Sequence, residues 1–61
     1  MQQKILRLQE VREVTGCSKS FIYRNMCFGN FPSQIKLGAR AVGWYRRDIE
    51  EWMNSRERVQ Q

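Results

Sequence analysis

The chain has 61 residues, a mass of 7.4 kDa and a formal net charge of +5, from 11 Lys and Arg residues against 6 Asp and Glu residues. A domain of this size buries only a small core and leaves no room for a deep substrate cavity beside that core. The chain lacks histidine, and its two cysteines are too few for a closed four-ligand zinc site. We therefore expect a protein that is not an enzyme and that uses no metal or cofactor.

No stretch of the sequence approaches the roughly 20 consecutive apolar residues that span a bilayer, and no apolar leader segment follows Met1. These features favour a cytoplasmic protein with reduced thiols and no membrane partner. The sequence has no repeat, no linker and no low-complexity tract. Residues 1–58 are therefore predicted to form one domain, followed by a loose tail over residues 59–61.

The positive charge is concentrated in the first three quarters of the chain. Residues 1–47 carry nine basic and two acidic side chains, a net charge of +7, whereas residues 48–61 carry two basic and four acidic ones, a net charge of −2. A surface charged only for solubility would mix the two signs more evenly. A basic, compact domain without catalytic chemistry is typical of proteins that bind nucleic acid.

The N-terminal part of the chain predicts a short strand and a short helix. Residues 4–8 mix apolar and basic side chains in a way that fits a strand, after which Leu8, Val11 and Val14 recur at three-residue intervals. That spacing places the three side chains on one face of a helix. Gly16 is expected to end this helix, because glycine adopts the left-handed C-cap conformation without strain.

A second helix is predicted directly after this turn. Ser18 is a favourable N-cap residue, and residues 19–28 follow it with Ile22 and Met26 on one apolar face. The opposite side of this helix is polar and basic. Pro32 ends the helical region, because proline lacks a backbone donor and disfavours helical geometry at the residue before it.

The next segment has the pattern of a β-hairpin. Residues 35–37 and residues 41–45 alternate with a period of two around a turn at residues 38–40, and Val42 and Trp44 share one face.

A C-terminal helix follows the hairpin. Arg46 and Arg47 lead into it, and Ile49, Trp52 and Met53 form its apolar stripe. Acidic residues in its first turns and basic residues at its end suit the helix macrodipole. Both tryptophans of the chain are interpreted as core residues that join the hairpin to this helix, not as platforms for base stacking.

The predicted order of helix, tight turn, helix, β-hairpin and helix describes a small α+β fold of the winged helix-turn-helix type. From about Ile5 to Met53 the chain resembles the AlpA-type phage regulators, within the larger group of MerR-like winged helix-turn-helix domains and small excisionases. The matching segments are, in order, Leu6-Arg7-Leu8-Gln9-Glu10-Val11, Thr15-Gly16-Cys17-Ser18-Lys19-Ser20, Ile22-Tyr23-Arg24, Gly29-Asn30-Phe31-Pro32, Ile35-Lys36-Leu37-Gly38, Arg40-Ala41-Val42-Gly43-Trp44 and Ile49-Glu50-Glu51-Trp52.

This resemblance implies a DNA-binding protein encoded by a phage or another mobile element. Such proteins activate transcription of integrase genes, or act as excisionases that bend attachment-site DNA and direct an integrase towards excision. The partners implied are double-stranded DNA, an integrase and further copies of the protein on repeated sites. The location implied is the bacterial nucleoid.

The residues expected to contact DNA lie on the second helix, which would enter the major groove, and on the hairpin wing. Arg24 is the best candidate for a bidentate contact with guanine, and Arg40, at the hairpin tip, for insertion into the minor groove. Tyr23 would reach a phosphate or pack on a thymine methyl, and the remaining candidates would meet phosphates or base edges. The full set of candidate DNA-binding residues is Lys19, Ser20, Tyr23, Arg24, Lys36 and Arg40.

Two alternatives stay open at this point. Arg46 and Arg47 either clamp the DNA backbone or simply flank the last helix. In a rival interpretation the protein is a small adaptor or inhibitor that binds a protein partner through its helix-turn-helix surface, with Phe21, Cys27 and Phe28 as the contact.

A disulfide between Cys17 and Cys27 is not expected. The two residues bracket the second helix and are about 15 Å apart along it, whereas a disulfide needs Cα atoms within about 7 Å.

Overall fold

The computed structural model describes residues 4–57 and residue 59, and it confirms a small α+β, winged-helix-like fold. Most of the predicted tail at 59–61 lies outside these residues, as does Arg58. In the described part of the chain, no helix is long and apolar enough to cross a membrane. The elements are β1 (Ile5–Leu6), α1 (Leu8–Thr15), α2 (Lys19–Cys27), β2 (Ile35–Lys36), β3 (Val42–Tyr45) and α3 (Arg46–Asn54).

Local hydrogen bonds define the turn between α1 and α2. Gly16 has a φ of 74°, and its N–H donates to the carbonyl oxygen of Arg12 at 2.9 Å. Two residues later, the Oγ of Ser18 accepts a hydrogen bond from the N–H of Phe21 at 3.1 Å. The predicted left-handed C-cap and the predicted N-cap are both confirmed, and together they make the connection between the helices short and defined.

The core consists of one fully or nearly fully buried side chain from each of five elements and one from the loop after α2. These residues are Leu6, Val11, Ile22, Phe31, Trp44 and Ile49. The buried face of α1 is shorter than the sequence pattern suggests, because Val14, at the end of that helix, is 51% exposed. Leu8 packs against the core from its edge.

The sheet has the order β1-β3-β2 and is antiparallel throughout. Leu6 pairs with Trp44 on one side of β3, and Lys36 pairs with Val42 on the other. The predicted hairpin is present with shorter strands. Val42 and Trp44 differ in burial: Trp44 is fully buried, whereas Val42 is 37% exposed because it lies at the wing end, opposite exposed Lys36.

Two tryptophan side chains fix the loop that connects α2 to the wing. The Nε1–H of Trp44 donates to the carbonyl oxygen of Pro32 at 3.0 Å, and that of Trp52 donates to the carbonyl oxygen of Asn30 at 2.7 Å. Phe31 lies between the two indoles, with ring centroids 6.3 Å from Trp44 and 4.7 Å from Trp52. Trp44 is confirmed as a core residue, whereas Trp52 is half-buried and packs against the core from its edge.

Gly43 allows β1 to approach β3 closely. A Cβ atom on this residue would lie 2.8 Å from the carbonyl oxygen of Leu6 and 2.9 Å from Cγ2 of Ile5. The first contact is with backbone, so the strand itself would have to move. Glycine at this position is therefore a condition for the three-stranded sheet.

We expect Gly43→Ala to lower the free energy of unfolding by about 1–3 kcal/mol, the usual cost of overpacking, because the methyl group would push β1 off β3. The control is Gly38→Ala, since a Cβ atom at residue 38 meets nothing within 4 Å. Urea denaturation of both variants tests this. Equal stability of the two variants would contradict the close approach of β1 and β3.

The second stability prediction concerns the start of α2. Ser18→Ala removes the acceptor of the Phe21 N–H, and we expect a loss of about 1 kcal/mol. Ser20→Ala, at an exposed position inside the same helix, should change stability by less than about 0.5 kcal/mol. A Ser18→Ala variant with unchanged midpoint in thermal unfolding would show that the cap contributes nothing.

Candidate nucleic-acid interface

Helix α2 has one face in the core and the opposite face in solvent. Ile22 is fully buried, whereas Lys19, Ser20 and Arg24 are exposed. Tyr23 is half-buried on the same outer side. The structure thus places all four candidate DNA-binding residues of this helix away from the core stripe, where their side chains can reach a ligand.

The hydroxyl of Tyr23 has a protein partner that the sequence pattern does not reveal. The amide Nε2 of Gln34 donates to the Tyr23 hydroxyl oxygen at 3.1 Å, and both side chains are half-buried. Gln34 lies 11 residues further along the chain, in the loop just before β2. No periodicity or motif identifies such a contact, because it depends on how the loop folds back onto α2.

The wing presents the other two candidate residues. Lys36 is exposed in β2, and Arg40 is exposed in the turn between β2 and β3. The turn is closed by two hydrogen bonds to the carbonyl oxygen of Ala41, from the N–H of Leu37 at 2.8 Å and from that of Gly38 at 3.3 Å. The arginine is therefore carried on a backbone turn with a defined conformation.

The surface formed by α2 and the wing lies in a part of the chain without carboxylates. No Asp or Glu occurs between Glu13 and Asp48, and the six charged residues in that interval are all basic. Five of the six acidic residues of the chain lie instead on α1 and α3, two helices that pack against each other. The electrostatic potential is therefore expected to be positive over α2 and the wing.

The basic residues around α3 have contacts within the protein. The Nε of Arg46 forms an ion pair with Glu50 at 3.0 Å, one helical turn away. This contact favours the alternative in which Arg46 flanks the last helix. Near the end of the same helix, the guanidinium of Arg56 stacks 4.5 Å from the ring centroid of Trp52, a cation–π contact. Arg47 is exposed.

The candidate protein-contact residues differ in exposure. Phe28 is 68% exposed at the end of α2, and Cys27 beside it is exposed, whereas Phe21 is half-buried. Cys17 is half-buried, and both cysteines are free thiols. The exposed pair at the end of α2 is the part of the rival surface that the structure makes accessible.

Comparison with known proteins gives the same family that the sequence motifs indicate. The family model described as prophage CP4-57 regulatory protein (AlpA) matches residues 4–57. The chain is 38% identical over 55 residues to an uncharacterized protein, ORF88, of Enterobacteria phage P4, covering 90% of this chain and 62% of that protein. It is also 34% identical over 59 residues to the DNA-binding transcriptional activator AlpA of Escherichia coli strain K12, covering 87% of this chain and 84% of the relative. The chain therefore belongs to the AlpA family of prophage regulatory proteins.

Proposed function

We propose that this protein binds double-stranded DNA at specific sequences and regulates a prophage or another mobile element. Its output is transcriptional activation, excision together with an integrase, or both. The observation that carries the proposal is the exposed basic side of α2 beside a basic wing, in a stretch of chain without a single carboxylate. The name of the Escherichia coli relative, a DNA-binding transcriptional activator, supports the transcriptional output.

The proposed geometry places α2 in the major groove. Arg24 then offers its guanidinium to the O6 and N7 of a guanine, the commonest specific contact in protein–DNA recognition. Lys19 and Ser20, in the first turn of the helix, meet phosphates or base edges. The wing then contacts the neighbouring minor groove.

In this arrangement Arg40 enters the minor groove, where narrow A·T-rich segments concentrate negative potential. Lys36, on the strand that leads to the turn, neutralises a phosphate. The two wing residues therefore have different roles: one responds to groove width and the other only to backbone charge.

The output through excision rests on the resemblance to small excisionases, and the integrase is a proposed partner on the same ground. A single module of this size buries about 600–1,000 Å² against DNA. We therefore propose that several copies act together on repeated sites. This function places the protein on the bacterial nucleoid, in the cytoplasm.

The first experiment is selection of binding sites from a random pool of duplex DNA at roughly 0.15 M salt, where non-specific phosphate binding is weak. Enrichment of a short motif, especially in direct repeats, is the expected result. Failure of a folded protein to enrich any motif would refute sequence-specific binding. It would favour the rival function as a protein adaptor, for which the exposed Phe28 is the supporting observation.

We expect Arg24→Ala to weaken binding to the selected site roughly fivefold to 150-fold, from the loss of about 1–3 kcal/mol of base discrimination. The affinity for an unrelated duplex should fall much less, so the ratio of specific to non-specific affinity decreases. Fluorescence anisotropy on both duplexes measures this. Arg46→Ala is the control, because it removes the same charge from an ion pair on α3. A parallel loss on both duplexes would assign Arg24 to the backbone instead.

Lys36→Ala is expected to weaken binding to all duplexes alike. The slope of log K against log salt concentration should become shallower by about one unit, because one phosphate is no longer neutralised. Titrations at four or more salt concentrations give the slope. Arg46→Ala should leave it unchanged. If Lys36→Ala keeps the wild-type slope, the wing does not contact the DNA backbone through this residue.

A further inference from the structure

The hydrogen bond between Gln34 and Tyr23 joins the two parts of the proposed DNA-binding surface. Its donor is the Nε2 of Gln34, its acceptor is the hydroxyl oxygen of Tyr23, and the two atoms are 3.1 Å apart. Tyr23 lies in the middle of α2, and Gln34 lies directly before β2. It joins residues 11 positions apart, whereas the Gln9–Glu13 and Arg46–Glu50 hydrogen bonds each stay within one helix.

The direction of this hydrogen bond determines what the tyrosine can still do. A phenolic hydroxyl has one proton to donate and can accept as well. Because Gln34 supplies a proton to the oxygen, the proton of Tyr23 itself is left for another acceptor. Among the described residues, the Tyr23 hydroxyl donates to no protein atom. Its free donor is suited to a group that only accepts hydrogen bonds, such as a phosphate oxygen.

The position of Tyr23 fits this ligand. It follows Lys19 by four residues and Ser20 by three, which places the three side chains on one side of the helix. Its half-buried ring and its bonded hydroxyl restrict the side chain before any ligand is bound. Less conformational entropy is then lost on binding, which increases affinity without a new contact.

We propose that Gln34 is a positioning residue for DNA binding: its amide orients the Tyr23 hydroxyl so that the phenolic proton is donated to a phosphate of the bound duplex. This rests on the proposed DNA-binding function and assigns a role to a residue outside the recognition helix. Gln34 is also two residues before Lys36. The same hydrogen bond therefore holds the phosphate contact of α2 in a fixed position relative to the phosphate contact of the wing.

The test is a double-mutant cycle on the selected DNA site. Tyr23→Phe removes the donated proton and should weaken binding roughly 10-fold to 150-fold, the range for a hydrogen bond to a charged acceptor. Gln34→Ala should weaken binding by severalfold when Tyr23 is present and not at all in the Tyr23→Phe background. Ser33→Ala, an exposed neighbour in the same loop, is the control and should bind like the unmodified protein.

A second variant at residue 34 separates the orientation of the Tyr23 hydroxyl proton from the simple loss of the Gln34 amide. Gln34→Glu replaces the donating amide by a carboxylate that accepts the phenolic proton, and we expect a larger loss than with Gln34→Ala. The added negative charge also weakens binding. That part of the loss is measured in the Tyr23→Phe background, where the effect on proton direction cannot occur. Only the excess in the Tyr23 background counts for the proposal.

Methylphosphonate scanning of the site provides a readout that a purely structural role would not change. Replacing one charged phosphate by a neutral methylphosphonate should weaken wild-type binding at the phosphate that Tyr23 contacts. At that one position, Tyr23→Phe and Gln34→Ala should be much less sensitive than the wild type. Lys36→Ala should lose its sensitivity at a different phosphate. Thermal unfolding of each variant shows that the differences do not come from lost stability.

Three outcomes would overturn the proposal while leaving DNA binding intact. The first is wild-type affinity of Tyr23→Phe, and the second is a full Gln34→Ala effect in the Tyr23→Phe background. The third is the absence of any single phosphate at which Tyr23→Phe and Gln34→Ala are both less sensitive to methylphosphonate replacement than the wild type. Absence of any sequence-specific DNA binding by the unmodified protein would instead refute the proposed function itself, so the two failures are distinguishable.

Discussion

The indole of Trp44 lies at the centre of this domain, and the positions of its neighbours depend on it. Its strand is the middle one of the sheet, its ring is fully buried, and its backbone partner across the sheet is Leu6. The Nε1–H of the same side chain holds the carbonyl oxygen of Pro32, and its ring meets Phe31 edge to face. One residue thus pairs with the N-terminal strand through its place in β3 and holds the loop after α2 through its side chain.

This arrangement explains how the outer surface of α2 is positioned relative to the wing. The loop between them is attached at Asn30 by Trp52 and at Pro32 by Trp44, and Gln34 then contacts α2 itself. Every second residue from Asn30 to Gln34 is therefore hydrogen-bonded to another part of the protein. A loop with these contacts transmits little relative motion, so the basic residues of the helix and of the hairpin keep one mutual orientation. If DNA is bound as proposed, a fixed orientation reduces the conformational entropy that binding costs.

Local signals were sufficient to predict much of this structure from the sequence. The turn at Gly16 and the cap at Ser18 involve residues no more than four positions apart, and both were predicted from residue type alone. The hairpin and the apolar stripe of α3 follow from periodicity. Val14 and Val42 were placed on faces that carry buried residues, yet both are exposed, because periodicity gives the face of an element and not how far the core extends along it.

The contacts between residues far apart in the chain could not be predicted from the sequence. A strand was predicted over residues 4–8, but nothing in its composition identifies β3 as its partner, and the need for glycine at residue 43 becomes visible only once the two strands are paired. In the candidate site, the position of the four α2 residues away from the core stripe was predicted from the helical pattern, although Tyr23 is half-buried. The contribution of Gln34 was not, since a single amide in a polar loop resembles any solvated side chain until its partner is known.

Acidic and basic residues are separated on the surface of this protein, and this separation affects how the protein approaches DNA. The carboxylates of α1 and α3 lie on helices that pack together, whereas α2 and the wing carry only basic charged residues. A DNA duplex that approaches this protein is attracted to the basic surface and repelled by the carboxylates, so long-range electrostatics favours the orientation in which α2 and the wing face the DNA.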